Sequence, residues 1–116
     1  MATIYRYGGS AILSINGGII SAYAGSNRFE INGNIISKYA GPNLFEINGN
    51  RVSKYAGSYL YELNGSTFYS YAGGPIAQVN GSNISTYGGA NQYQISGYVN
   101  DKELLALLTI LFFYNL

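Results

Sequence analysis

The sequence predicts an all-β fold: six tandem β-hairpins of sixteen residues each, followed by one apolar α-helix. Three observations carry this expectation. A Tyr-x-Gly triplet starts at Tyr7, Tyr23, Tyr39, Tyr55, Tyr71 and Tyr87, and its period never slips. An aliphatic-Asn-Gly triplet follows at Ile15, Ile31, Ile47, Leu63 and Val79, with Ile95-Ser96-Gly97 in the sixth unit. Beyond residue 103 the pattern stops, and apolar residues run almost unbroken to Tyr114. The whole fits one domain over residues 1–116: an N-terminal strand (2–6), six hairpin repeats (7–102) and a C-terminal helix (101–114).

The repeat follows from its turns. Asn-Gly between apolar runs is the strongest short hairpin signal, because a type I′ turn needs φ > 0 at both central positions. In the unit 23–38, a two-residue loop at Asn32-Gly33 sets Ile31 opposite Asn34, Glu30 opposite Ile35 and Phe29 opposite Ile36. Phe29, Ile31 and Ile36 then share one face. The same positions elsewhere are almost all apolar, among them Leu13, Phe45 and Tyr93, and Ile20, Val52, Phe68 and Ile84. This is the candidate core. Burying one such side chain stabilises by roughly 1.5–3 kcal/mol. A lone hairpin does not fold on that, so neighbouring hairpins must pack together. The opposite face carries Glu30, Glu46, Glu62, Gln78 and Gln94 in one column and Ser21, Ser37, Ser53 and Ser85 in a second. By parity the six tyrosines form a third, unless a bulge at the Ala-Gly turn rotates them inward.

Both ends depart from the repeat. Ala2–Arg6 fits the second arm of a unit, with Ile4 in the column of Ile20 and Ile36, but its first arm is missing. Unit six has a good first arm, Gln92–Ile95, and a degenerate second arm, Tyr98–Lys102, with Asn100 in an aliphatic position. Either the first strand pairs with that orphaned last arm and closes a ring or flower, which removes exposed edges, or the hairpins form an open stack. Asn100–Glu103 has the outline of a capping box. The helix behind it is apolar nearly all round and must be buried. One hairpin sheet covers only one side of it, so a second copy of the chain is expected to cover the other. Leu104, Leu105, Leu108, Leu111 and Phe112 are therefore the candidate homo-oligomer interface.

The Tyr-x-Gly and aliphatic-Asn-Gly pattern, over residues 4–99, resembles the bacterial and phage-associated β-flower class of repeat domains, whose hairpins radiate around a central axis. The familiar form is four-fold, whereas this chain has six units. The pattern is also similar to choline-binding-type and toxin-type cell-wall-binding hairpin repeats, which lean on Trp and longer units; this chain has no Trp. Neither resemblance supplies a catalytic residue.

Composition narrows the chemistry. There is no Cys and no His, which excludes disulfides, thiolate chemistry, Cys/His metal sites and His acid–base catalysis. Charged residues are 9% of the chain, the net charge is +1, and the six basic residues are scattered in sequence. A nucleic-acid binder needs a basic stripe, so none is expected. The Glu column reads as a solvated face, and the lone Asp101 and Glu103 do not make a calcium loop. No catalytic residue, metal or cofactor is expected. No signal peptide is visible, and the run Leu104–Tyr114 is shorter than the about 20 residues of a transmembrane helix. The chain as given reads as soluble; these features leave its localisation open, with a phage particle or a cell surface as the candidate settings.

Two functions follow as expectations. The first is a non-catalytic, self-associating structural module of a virion, filament or surface layer, motivated by low charge, high Tyr, Gly and Asn content and the uncovered helix. The second is a glycan or cell-wall-polymer binding module. Tyr7, Tyr23, Tyr39, Tyr55, Tyr71 and Tyr87 would be its platform, since aromatic rings flanked by Asn, Gln and Ser suit sugar rings.

Overall fold

The computed structural model describes residues 1–114. Its strands are β1 (Ala2–Arg6), β2 (Ala11–Asn16), β3 (Ile19–Ala22), β4 (Asn27–Asn32), β5 (Ile35–Lys38), β6 (Asn43–Asn48), β7 (Arg51–Lys54), β8 (Tyr59–Asn64), β9 (Thr67–Ser70), β10 (Pro75–Asn80), β11 (Asn83–Thr86) and β12 (Asn91–Gly97). They pair antiparallel in chain order, and β1 returns to β12, so the sheet closes into a barrel. The one helix among the described residues, α1 (Asp101–Phe113), fills the interior. The result is a short, wide drum of 35 × 35 × 22 Å.

The N-terminal strand makes the closure. Ile4 stands opposite Ile95, as Ile84 stands opposite Val79 one unit earlier. β1 thus occupies the place of the second arm of unit six. Residues 98–102, expected as that arm, instead leave the wall and lead into α1. Gly97 makes the departure: its φ is +101°, and a Cβ there would lie 2.6 Å from the Met1 carbonyl oxygen.

The hairpin register differs from the one Asn-Gly implies. Ile31 faces Ile36, Glu30 faces Ser37 and Phe29 faces Lys38. The two-residue loop is therefore Gly33-Asn34, with φ positive at Gly33 and not at Asn34, which is the type II′ pattern. The slip is two residues along one strand, so Phe29, Ile31 and Ile36 still share the inner face. Each repeat also carries a bulge. It is not at the Ala-Gly turn but in the next strand, where Ile12, Arg28, Leu44, Leu60, Ile76 and Gln92 are each the extra residue. The serine column is tucked in by its neighbours: Ser37, Ser53 and Ser85 are buried although they face outward.

Barrel and helix match in size. Ile31 pairs with Ile36, which pairs with Phe45, whereas the counterpart of Ile31 in the next unit is Ile47. A row around the wall therefore drops two residues per hairpin, or as many residues as there are strands over the full circuit. That shear corresponds to a tilt of about 36°. With strands about 4.8 Å apart, the wall stands about 11 Å from the axis. A helix with its side chains is about 10–12 Å across, and one layer of wall side chains fills the rest. Leu105, Leu107, Leu108, Ile110 and Leu111 of α1 pack with Ile4, Ile20, Ile36, Val52, Phe68 and Ile84 of the wall in one core. Thr109, the polar residue among them, donates its hydroxyl to the Leu105 carbonyl at 2.8 Å.

The Tyr-x-Gly turns store strain in a correctable form. Gly25 donates to the Ala22 carbonyl at 2.9 Å and Ala22 to the Ser26 carbonyl at 3.0 Å. The last glycine answers to space: a Cβ on Gly25, Gly41, Gly57 or Gly73 would sit 3.0–3.2 Å from the side chain three residues back. The middle residue answers to φ. Ala24, Ala40, Ala56 and Ala72 have φ of 54–55°, where Gly8 and Gly88 serve in the other two turns. An L-residue there costs roughly 1–2 kcal/mol, partly offset by the extra freedom glycine gives the unfolded chain, about 0.4–1 kcal/mol. Replacing all four alanines with glycine is expected to raise stability by about 2 kcal/mol and the melting temperature by several degrees. A fall in melting temperature by calorimetry would contradict this.

Candidate binding surface at the tyrosine end

The two ends of the drum differ. α1 starts at the Asn-Gly end. Asn100 accepts from the Glu103 N–H at 2.8 Å and Glu103 accepts from the Asn100 N–H at 2.9 Å, the capping box the sequence outlined. Lys102 donates to the Gly33 carbonyl at 2.9 Å and so ties the helix start to a hairpin loop. Asp101, Leu104 and Leu105 line a gap of about 320 Å³ with Gly49, Asn50 and Gly65 at this mouth.

α1 ends at the Tyr-x-Gly turns, where an aromatic cluster closes the barrel. Phe112 lies 6.1 Å from Phe68 and 6.0 Å from Tyr93; Phe113 lies 5.1 Å from Phe45, and Tyr114 5.7 Å from Phe29. Burial pushes the Tyr61, Tyr93 and Tyr114 phenols up from their ordinary range, with Arg6 opposing the shift at Tyr93. These phenols therefore stay neutral at physiological pH. Phe113 and Tyr114 remain partly exposed, and with Phe45, Lys54 and Tyr55 they border a depression of about 280 Å³.

The six repeat tyrosines ring this same end. Each N–H donates to the carbonyl of the bulged residue on the preceding strand of the wall, from Tyr23 to Ile12 on β2 at 3.0 Å round to Tyr7 to Gln92 on β12 at 2.9 Å. Their side chains are 39–55% exposed. The outward facing expected from parity therefore holds, and the bulge does not turn them in. One sector breaks the symmetry: Tyr71 and Tyr59 pack at 4.9 Å, and the Arg51 guanidinium lies 5.3 and 5.5 Å from their ring centres. Arg51 also pairs with Glu62 at 3.2 Å, a hydrogen bond that raises its pKa further.

Charge gathers where the linear sequence shows none gathered. Arg6, Arg28, Lys38 and Lys54 sit at strand ends on the tyrosine side and are exposed, and no acidic side chain among the described residues shares that end. The clue was in the repeat: Arg6, Lys38 and Lys54 occupy one repeat position. α1 has no basic residue in its own last turn, so these wall cations face the negative end of its dipole.

Leu104, Leu105, Leu108, Leu111 and Phe112, expected at a subunit interface, instead face the chain's own barrel. Leu105, Leu108 and Leu111 are 0–1% exposed within a single chain, and Leu104 and Phe112 are half-buried against the wall. The cover that a flat sheet could not supply comes from curvature. Among the described residues no group of three or more potential metal ligands stands together, and no helix is long and apolar enough to cross a membrane. Set against protein-family models, curated proteins and solved structures, this chain finds no match in any of the three.

Proposed function

We propose that this chain is a non-catalytic structural module that stacks end on end, the tyrosine end of one drum on the Asn-Gly end of the next. The carrying observation is the polarity of the drum. One end holds the exposed tyrosines, Phe113 and four cations; the other holds the acidic Asp101 and Glu103 beside Lys102. Facing two tyrosine ends would oppose like charges, whereas head-to-tail stacking sets cations against acids and aligns the helix dipoles. Such a contact is heterologous and propagates into a filament rather than a closed dimer. A face 35 Å across offers about 900 Å², against about 800 Å² per partner in a stable interface. Sedimentation and electron microscopy test the reading. Assemblies at low salt that shorten with added salt, and that Lys38→Glu with Lys54→Glu abolishes without unfolding, are expected. A monomer at millimolar concentration and low salt would overturn it.

A second reading, glycan binding by the tyrosine ring, is favoured by the regular exposure of six rings beside Asn27, Asn43 and Asn91. Loss of glycan-array or pull-down signal in a Tyr23→Ala, Tyr39→Ala variant distinguishes it.

A further inference from the structure

A recess larger than those at the two mouths lies elsewhere. It is a groove of about 630 Å³ on the outer wall at the closing seam, within the about 300–1,000 Å³ of small-molecule sites. Tyr5 and Gln94 face each other across β1 and β12 and form its sides. Ser96 and Ser82 add a hydroxyl each, and Gly8 lends open backbone. No charged residue lines it.

The groove arises from breaks in the repeat. At the position of Tyr5, four other units carry serine, and Tyr69 is the other exception. Tyr69, however, faces Glu62, which is engaged by Arg51. The seam alone sets a tyrosine against a neutral amide. It also has glycine, not alanine, at the turn position Gly8, and there the chain parts at Gly97 instead of running through a hairpin loop. Beside the groove, Asn83 stands opposite Gln94 in the ladder, and its Oδ1 is buried without a hydrogen-bond partner.

We infer that this seam groove is a binding site for a neutral saccharide of two or three hexose units. An aromatic ring supplies the apolar platform a pyranose face needs. An amide with both donor and acceptor, and two hydroxyls that serve as either, match a ligand whose hydroxyls do the same. The absence of charge selects against uronic acids and phosphates, whose desolvation nothing here would offset. Tyr5, Gln94 and Ser96 sit on the side wall between the two ends, so the inference does not depend on either reading of the tyrosine end.

The test is amide chemical-shift mapping of the full chain with cellobiose, maltose and chitobiose, each taken to about 20 mM, a range suited to the millimolar affinity of a shallow site. Expected is saturable perturbation of residues 5, 94, 96 and 97 by at least one of them. Tyr5→Phe, which keeps the platform, should retain binding. Gln94→Ala and Tyr5→Ala should each weaken it by about fivefold or more, the effect of one lost contact of about 1 kcal/mol. Tyr39→Ala, on the tyrosine ring, should leave it unchanged. No perturbation at the seam with any of the three sugars would overturn the inference. So would perturbation confined to the tyrosine ring, or seam binding that survives Gln94→Ala undiminished.

Discussion

Deleting residues 1–6 is expected to lower the melting temperature by about 10 °C or more and to make the chain aggregate. β1 is hydrogen-bonded on both sides, to β2 and to β12. Its loss leaves two unpaired strand edges, the arrangement most prone to intermolecular pairing. It also removes Ala2 and Ile4, both buried, and opens a slot along the barrel through which α1 meets water. Losing the Ile4 side chain alone costs roughly 1.5–3 kcal/mol, and each kcal/mol shifts the melting temperature of a domain this size by about 4 °C. Calorimetry and light scattering on the deletion variant decide the matter. A soluble protein with unchanged melting would show that the seam contributes nothing.

Leu108→Glu is expected to prevent folding outright, and Leu108→Ala to destabilise by about 2–5 kcal/mol. Leu108 lies in the middle of α1 with no exposed surface. A carboxylate there has no cation among the core residues around it, and burying it unpaired costs far more than the margin of a small domain. The two variants separate burial within one chain from burial between two. At a subunit interface, Leu108→Glu would yield a folded monomer with native circular dichroism. Within the barrel it yields loss of near-ultraviolet signal and an early denaturant midpoint for the alanine variant. A well-folded glutamate variant would contradict the enclosed helix.

The repeat, its inner and outer faces and the capping box were all legible in the sequence, because each depends on residues close together in the chain. The register was misread because Gly33 takes positive φ in both turn types; the conformations of Asn32 and Asn34 on either side of it separate them, and asparagine is at home in a turn or a strand end. The faces survived because a two-residue slip preserves parity. The place of α1 was not legible. Leu104–Phe113 demands burial but names no partner, and curvature belongs to no single residue. It emerges only when the drop from Ile31 to Phe45 is repeated around six hairpins and meets β1. The seam groove was invisible for the same reason: Tyr5 and Gln94 are 89 residues apart in the chain and become neighbours only on closure.

That α1 and the wall share one radius has a consequence for how such a chain can evolve. Tandem units multiply readily by unequal recombination, and an open array tolerates any number of them. Here a seventh copy would push the wall outward by about a sixth, close to 2 Å, and a gap of that width forfeits much of the dispersion contact around the plug. A ring of five copies would draw the wall in by about the same 2 Å, too tight for a plug with side chains of this size. Copy number is therefore tied to the girth of a segment outside the repeats, and a change in one must be met by a change in the other. Relatives with more or fewer units are expected to carry a plug of altered bulk, such as smaller side chains in place of Leu107 and Leu111, or none.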